Sequence, residues 1–128
     1  MSAGSVSKID LVLSLKGKAQ CALELKRHLA PKTVGSIIRA LPLEGNAHMM
    51  ANSMAFMDTS LNAGGEKLRT QFKKGEVAFM ASNGSICFFL EDEPSTRSMT
   101  LVGKITSNLD ALKEVKPGDI FSITQAGT

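Results

Sequence analysis

From Ile9 to Leu15 every second residue is apolar: Ile9, Leu11, Leu13 and Leu15 share one parity, while Lys8, Asp10 and Ser14 hold the other. A period of two puts one face of a strand in a core and the other in water. The alternation returns at Ala19, Cys21, Leu23 and Leu25 against Gln20 and Glu24, after a short link at Lys16-Gly17. Two such runs joined by a short Gly-containing link predict a β-hairpin. The period then changes. Val34, Ile37, Ile38 and Leu41 fall at i, i+3, i+4 and i+7, one face of a helix. Pro31 stands in its first turn, where a missing N–H costs nothing, and Pro42 with Gly45 stops it.

The middle of the chain is less periodic. His48 to Met57 reads HMMANSMAFM, apolar on both parities, and leaves two short strands and a buried irregular segment equally open. Asn62-Ala63-Gly64-Gly65 predicts a loop, and Lys73-Lys74-Gly75 a turn leading into a strand at Val77 to Met80. Asn83-Gly84 is a turn signal, followed by Ile86 to Leu90, an unbroken apolar run that predicts a strand buried on both faces. Glu91 to Arg97 predicts a polar loop containing Pro94, and Leu101 to Ile105 a further strand. Asn108 is placed as the N-cap of a short helix through Leu109, Leu112 and Val115. Pro117-Gly118-Asp119 turns the chain into a last strand, Ile120 to Ile123. Many short strands with one good helix near the start and a short one near the end predict a mainly β protein, closed or nearly so, because closure removes apolar edges.

Composition fits this picture. The 128 residues are 43% apolar and 21% charged, suited to one ordinary globular domain over 1–128. Fifteen Lys+Arg against twelve Asp+Glu give a net charge of +3. The basic residues are scattered among acids in sequence, and with no Tyr or Trp there is little material for base stacking, so the composition argues against nucleic acid as a partner. No run approaches the length of a membrane span, and the stretch from Met1 to Asp10 lacks the basic head and apolar block of a signal peptide. Cys21 and Cys87 lie far apart without ligand spacing, which predicts reduced, buried thiols in the cytoplasm, or a disulfide should the two fall on neighbouring strands.

Set in this order of elements, three blocks of residues resemble the cyclophilins. Gly17-Lys18-Ala19-Gln20-Cys21-Ala22-Leu23-Glu24-Leu25, then Ala30-Pro31-Lys32-Thr33-Val34 and Arg39-Ala40-Leu41, is similar to that family's E-L strand and the helix that begins A/V-P-K-T and ends near R-A-L. Met80-Ala81-Ser82-Asn83-Gly84-Ser85 with Phe88-Phe89-Leu90 resembles M-A followed by N-G-S-Q-F-F-I. Leu101-Val102-Gly103-Lys104-Ile105 with Leu109-Asp110-Ala111-Leu112 resembles V-F-G-K-V and its following helix. Gly75-Glu76-Val77 and the stretch from Gly103 to Asp119 look closest to the small prokaryotic cyclophilin-like barrels of poorly defined function. The resemblance implies a closed cyclophilin-like β-barrel with one main helix near the N-terminus, plugging or covering an open end, and a short helix near the C-terminus.

It also raises peptidyl-prolyl isomerisation. That activity must lower a rotation barrier of roughly 18–20 kcal/mol, with an apolar pocket for the proline ring and a donor, usually arginine, near the prolyl nitrogen. The family's F-H-R … Q-G-G-D-F segment corresponds here to Asn46–Met57, which has neither Arg nor Gln. Its pocket histidine corresponds to Met99, while its Ala and Phe positions keep counterparts in Ala81 and Phe89. Of the four arginines, Arg39 belongs to the helix, and Arg27, Arg69 and Arg97 fall in predicted loops, with Arg69 able to reach the site. The expectation is therefore a barrel without a recognisable catalytic residue, leaning away from an enzyme, with isomerase activity as the alternative.

Met49, Met50, Met54, Met57 and Met80, interleaved with Phe56 and Phe79, surround the same region. Thioethers fill irregular cores, and they also make deformable pockets for small apolar ligands or extended peptides. His48, Met50, Met54 and Met57 are a third option, as soft ligands for Cu(I), but no neighbouring cysteines support a metal. Neither histidine has a nucleophile at motif spacing, Glu91-Asp92-Glu93 has the pattern of a solvated tip, and no glycine run cradles a phosphate. The expected ligand lining is Met54, Phe56, Phe79, Met80, Ala81, Phe89 and Met99, with Asn83 and amides near Gly84 orienting a polar end. No cofactor or metal is expected. A structural module, with the methionine segment as an oligomer interface, is the remaining alternative.

Overall fold

A computed structural model describes residues 8–126 and, for 93–97, the backbone alone. The signal-peptide expectation at the N-terminus, and the side chains of Glu93, Pro94 and Arg97, lie outside the described residues.

The first two alternating runs form β1 (Lys8–Leu15) and β2 (Ala19–Lys26), paired antiparallel from Lys8↔Lys26 to Leu15↔Ala19. Helix α1 (Pro31–Ala40) follows. Then come β3 (Leu43–Met50), β4 (Met54–Met57), β5 (Arg69–Phe72), β6 (Glu76–Met80), β7 (Ser85–Phe89) and β8 (Glu93–Ser107). A 3₁₀ helix (Leu109–Glu114) leads to β9 (Ile120–Gln125). Eight strands close in the order β2-β1-β9-β3-β4-β7-β6-β8, and β8 returns to β2 through pairs such as Leu25↔Gly103. The fold is a closed antiparallel β-barrel with a longer helix near the N-terminus and a short one near the C-terminus.

Alternation sorts the side chains. Leu11, Leu13, Leu15, Leu23, Leu25, Met57, Val77, Phe79, Ile86, Phe88, Val102, Phe121 and Ile123 fill the barrel, joined by Val34 and Ile37 of α1 and by Leu112 and Val115. Phe88 and Phe121 meet edge to face inside it, their centroids 5.4 Å apart. Close approach of strands fixes two glycines. A Cβ on Gly103 would lie 1.9 Å from the Glu24 carbonyl oxygen, and one on Gly45 would lie 1.8 Å from that of Asp58.

Two local expectations are corrected and a third is corrected in part. Glu91 to Arg97 is not a loop throughout, because β8 starts at Glu93 and pairs there with β5 (Phe72↔Glu93, Gln71↔Pro94). Arg69 accordingly lies on a strand, a ninth one that hangs from β8 outside the eight-stranded ring. Asn108 does take the N-cap position of the short helix, but its side chain makes no capping bond: its φ is 62°, and its side-chain amide donates to the Gln20 carbonyl at 2.8 Å. The ambiguous stretch 48–57 resolves as two strands joined by a tight turn at Ala51 and Asn52, both left-handed, with the Ser53 N–H donating to the Met50 carbonyl.

Candidate functional site on the outer wall

β4, β7, β6 and β8 carry apolar side chains on both faces. Their outward ones form a second cluster, separate from the interior: Met54, Phe72, Ala78, Met80, Cys87, Phe89 and Met99, with Phe56 and Leu101 packed against it. An outer wall normally faces water and alternates to polar residues. Here it stays apolar because β5 and the start of β8 fold back over it. Phe72 is the buried residue of β5, while Arg69, Thr70 and Gln71 are exposed. Its ring lies parallel on Phe89, with centroids 4.6 Å apart and planes 9° apart. The Arg69 guanidinium lies over the Phe72 ring, 5.7 Å from its centroid.

At one side of the cluster His48 stacks on Phe56 at 4.8 Å and bonds through Nε2 to Asp58 Oδ2 at 2.8 Å. On β7, Ser85 pairs with Met80, and alternation sets it on the same face as Cys87 and Phe89. Its hydroxyl is buried and has no hydrogen-bond partner among the described residues. Such an orphan costs about 1–3 kcal/mol unless something satisfies it. Cys87 is fully buried here, and desolvation pushes its thiol up to about 12, so it is protonated and unreactive at neutral pH. Cys21, raised by the same cause to about 11, lies with the interior cluster. The two free thiols thus occupy opposite sides of the wall, which excludes the disulfide.

Of the eight residues expected to line a pocket, the structure brings Met54, Met80, Phe89 and Met99 together in the outer cluster, with Phe56 against it. Phe79 points the other way, into the barrel, because it is one residue from Met80 on a strand. Ala81 and Asn83 lie in the exposed β6–β7 turn. There Asn83 Oδ1 accepts from the Ser85 N–H at 3.1 Å, and the Gly84 N–H donates to the Met80 carbonyl at 2.9 Å, so both are spent on the turn. The four soft atoms weighed for copper diverge for the same reason of parity, Met54 outward and Met57 inward. No cluster of metal-ligating His, Cys, Asp or Glu occurs among the described residues. Sequence reasoning missed Phe72, Ala78, Cys87 and Leu101. In 76–80 and 85–89 apolar residues fill both parities, and Phe72 is a lone apolar residue among polar neighbours.

The methionine segment offers little surface for assembly. Met54, Met57 and Met80 are buried within the chain, leaving Met50 at 53% exposure. No helix among the described residues is long and apolar enough to cross a membrane.

With barrel, helix and outer wall in place, the comparisons with known proteins agree with the architecture. The sequence profile of the cyclophilin-like family matches residues 18–124, and the chain belongs to that family. A hypothetical protein from Archaeoglobus fulgidus, solved in solution, superposes with a TM-score of 0.78 at 23% identity, over 94% of this chain and 96% of that one. McbB, solved in complex with tryptophan, superposes with a TM-score of 0.69 at 13% identity, over 92% of this chain but 45% of its own. No curated protein matches the sequence.

Proposed function

We propose that this barrel binds a small molecule with an apolar, flat portion on the outer wall, where Phe72 now lies on Phe89. The observation that carries the reading is the Phe72–Phe89 stack, a parallel ring pair in a cluster that β5 closes with one side chain. A ligand ring takes the place of Phe72 and packs on Phe89 among Met54, Met80 and Met99. Thioethers suit this because they repack around different shapes at little cost. McbB, a barrel of the same fold in complex with tryptophan, supports an aromatic small molecule as occupant. Two cysteines that are both free support a cytoplasmic setting.

The chain has neither Trp nor Tyr, so a tryptophan titration has no intrinsic background at indole wavelengths. Emission of added tryptophan or indole is expected to shift to the blue and saturate with protein, and a Phe89→Ala variant to lose that saturation. Unchanged emission at millimolar protein would overturn the reading.

Arg69 favours one second reading. Among the described side chains it is the arginine that lies over a ring of the cluster, and an arginine is what a prolyl isomerase needs near its pocket. Arg69 is exposed, and its guanidinium lies over the Phe72 ring rather than within the buried cluster. A protease-coupled assay on an X-Pro peptide is therefore expected to show no acceleration. Acceleration that Arg69→Ala removes would make the chain an isomerase.

A further inference from the structure

Across β8 from the apolar wall lies a groove of about 400 Å³, within the range of small-molecule sites. The end of β2, the β5–β6 turn and the middle of β8 bring four lysines to it, Lys26, Lys73, Lys74 and Lys104, with His28 beside them. In sequence these residues are scattered; barrel closure of β2 on β8 gathers them. One carboxylate, Glu76, lines the groove, and it accepts the Lys73 backbone N–H at 2.8 Å. Asp92 near the rim is likewise turned to the Lys74 N–H at 2.7 Å. Lys26 is paired with Glu24 at 3.5 Å, but none of the described carboxylates forms an ion pair with Lys73, Lys74 or Lys104.

Lysines that line one groove raise its positive potential, and like charges repel over about one Debye length, ~10 Å at 0.1 M salt. Neutralisation by an anion relieves that repulsion, and a walled groove focuses the field on it. Leu29 and Leu101 give the groove an apolar portion. We infer that it binds a small organic anion, a phosphate monoester or a compound of similar charge, with its charged group on the lysines and its apolar body on Leu29 and Leu101. The groove borders the Phe72–Phe89 face and shares Leu101 with it, but its lysines lie outside that cluster, so anion binding there stands or falls without a ligand on Phe89.

The test is an amide NMR titration of the full chain at low ionic strength with phenyl phosphate, inorganic phosphate and phenol. Phenyl phosphate is expected to shift amides of 26–29, 73–76 and 101–105 with saturation and to bind more tightly than inorganic phosphate, while phenol leaves them in place. Lys73→Glu with Lys104→Glu is expected to weaken phenyl phosphate at least tenfold; Lys73→Gln with Lys104→Gln serves if charge reversal disturbs folding. Lys113→Glu, outside the groove, should change affinity less than twofold. The inference is overturned if phenyl phosphate leaves the groove amides unmoved, or if the lysine pair can be replaced with less than a twofold effect. It is equally overturned if a single-stranded oligonucleotide binds there and phenyl phosphate does not.

Discussion

Phe72 is 3% exposed although its three strand neighbours, Arg69, Thr70 and Gln71, face water. Beside its backbone pairing with β8, β5 is anchored to the outer apolar wall by this one buried side chain, which stacks on Phe89. Phe72→Ala removes that cover. Large-to-small changes of a buried phenylalanine cost about 3 kcal/mol or more, and urea unfolding is expected to show a loss of that order. The same variant is expected to bind indole more tightly than the unsubstituted chain, because the ligand no longer displaces a ring. Weaker binding would mean that Phe72 is part of the wall rather than its lid. At this scale the sequence was partly legible. Met54, Met80, Phe89 and Met99, singled out by residue type and by resemblance, share one cluster, but Phe79 was misplaced because a run apolar on both parities carries no signal of facing.

Among the elements, α1 shows how a distant residue completes a local motif. Its N-cap, Ala30, has no side chain to offer the first-turn amides. Glu66, from the loop before β5, supplies a carboxylate instead, accepting the Thr33 N–H at 2.6 Å and the Thr33 hydroxyl at 2.9 Å. Partial burial raises the pKa of Glu66, but the Thr33 and Lys32 hydrogen bonds and the Lys32 charge outweigh it and hold the group below its ordinary 4.5. A depressed carboxylate stabilises the fold above its unfolded value and loses that contribution as pH falls through the folded one. Glu66→Gln is expected to cost about 1 kcal/mol at pH 7, the usual worth of a cap. Its stability curve should converge with that of the unsubstituted chain below pH 4.5, as followed by chemical denaturation across pH; parallel curves would refute the cap. Hairpin β1–β2 and helix α1 were readable because period and breakers agreed. β5 was not, since its pairing with β8 is long-range and its residues, one apolar among polar, have no strand period. The Ala51–Asn52 turn was hidden because neither residue is a glycine, although both are left-handed.

For the whole molecule, closure is the decisive step, and it depends on Gly103. A methyl there would collide with the Glu24 carbonyl and separate β8 from β2. Gly103→Ala is expected to lower stability by about 4 kcal/mol or more; we propose that 1–128 is one cooperative unit, which predicts a single unfolding transition by circular dichroism. Two separate transitions would mean independent parts. Barrel class was legible from strand number and apolar edges, and the family from its three motif blocks. The gathering of lysines beside β8 was not legible, because charge scattered in sequence becomes a cluster only after the ring closes.

The most direct test of ligand binding on the outer wall reads its methionines. With ¹³C-methyl labels on all seven, indole is expected to shift Met54, Met80 and Met99, which line the Phe89 face, and to leave Met57 inside the barrel unmoved. If those three methyls hold their positions up to the solubility of indole, or if Met57 moves alone, the outer wall is not the binding site.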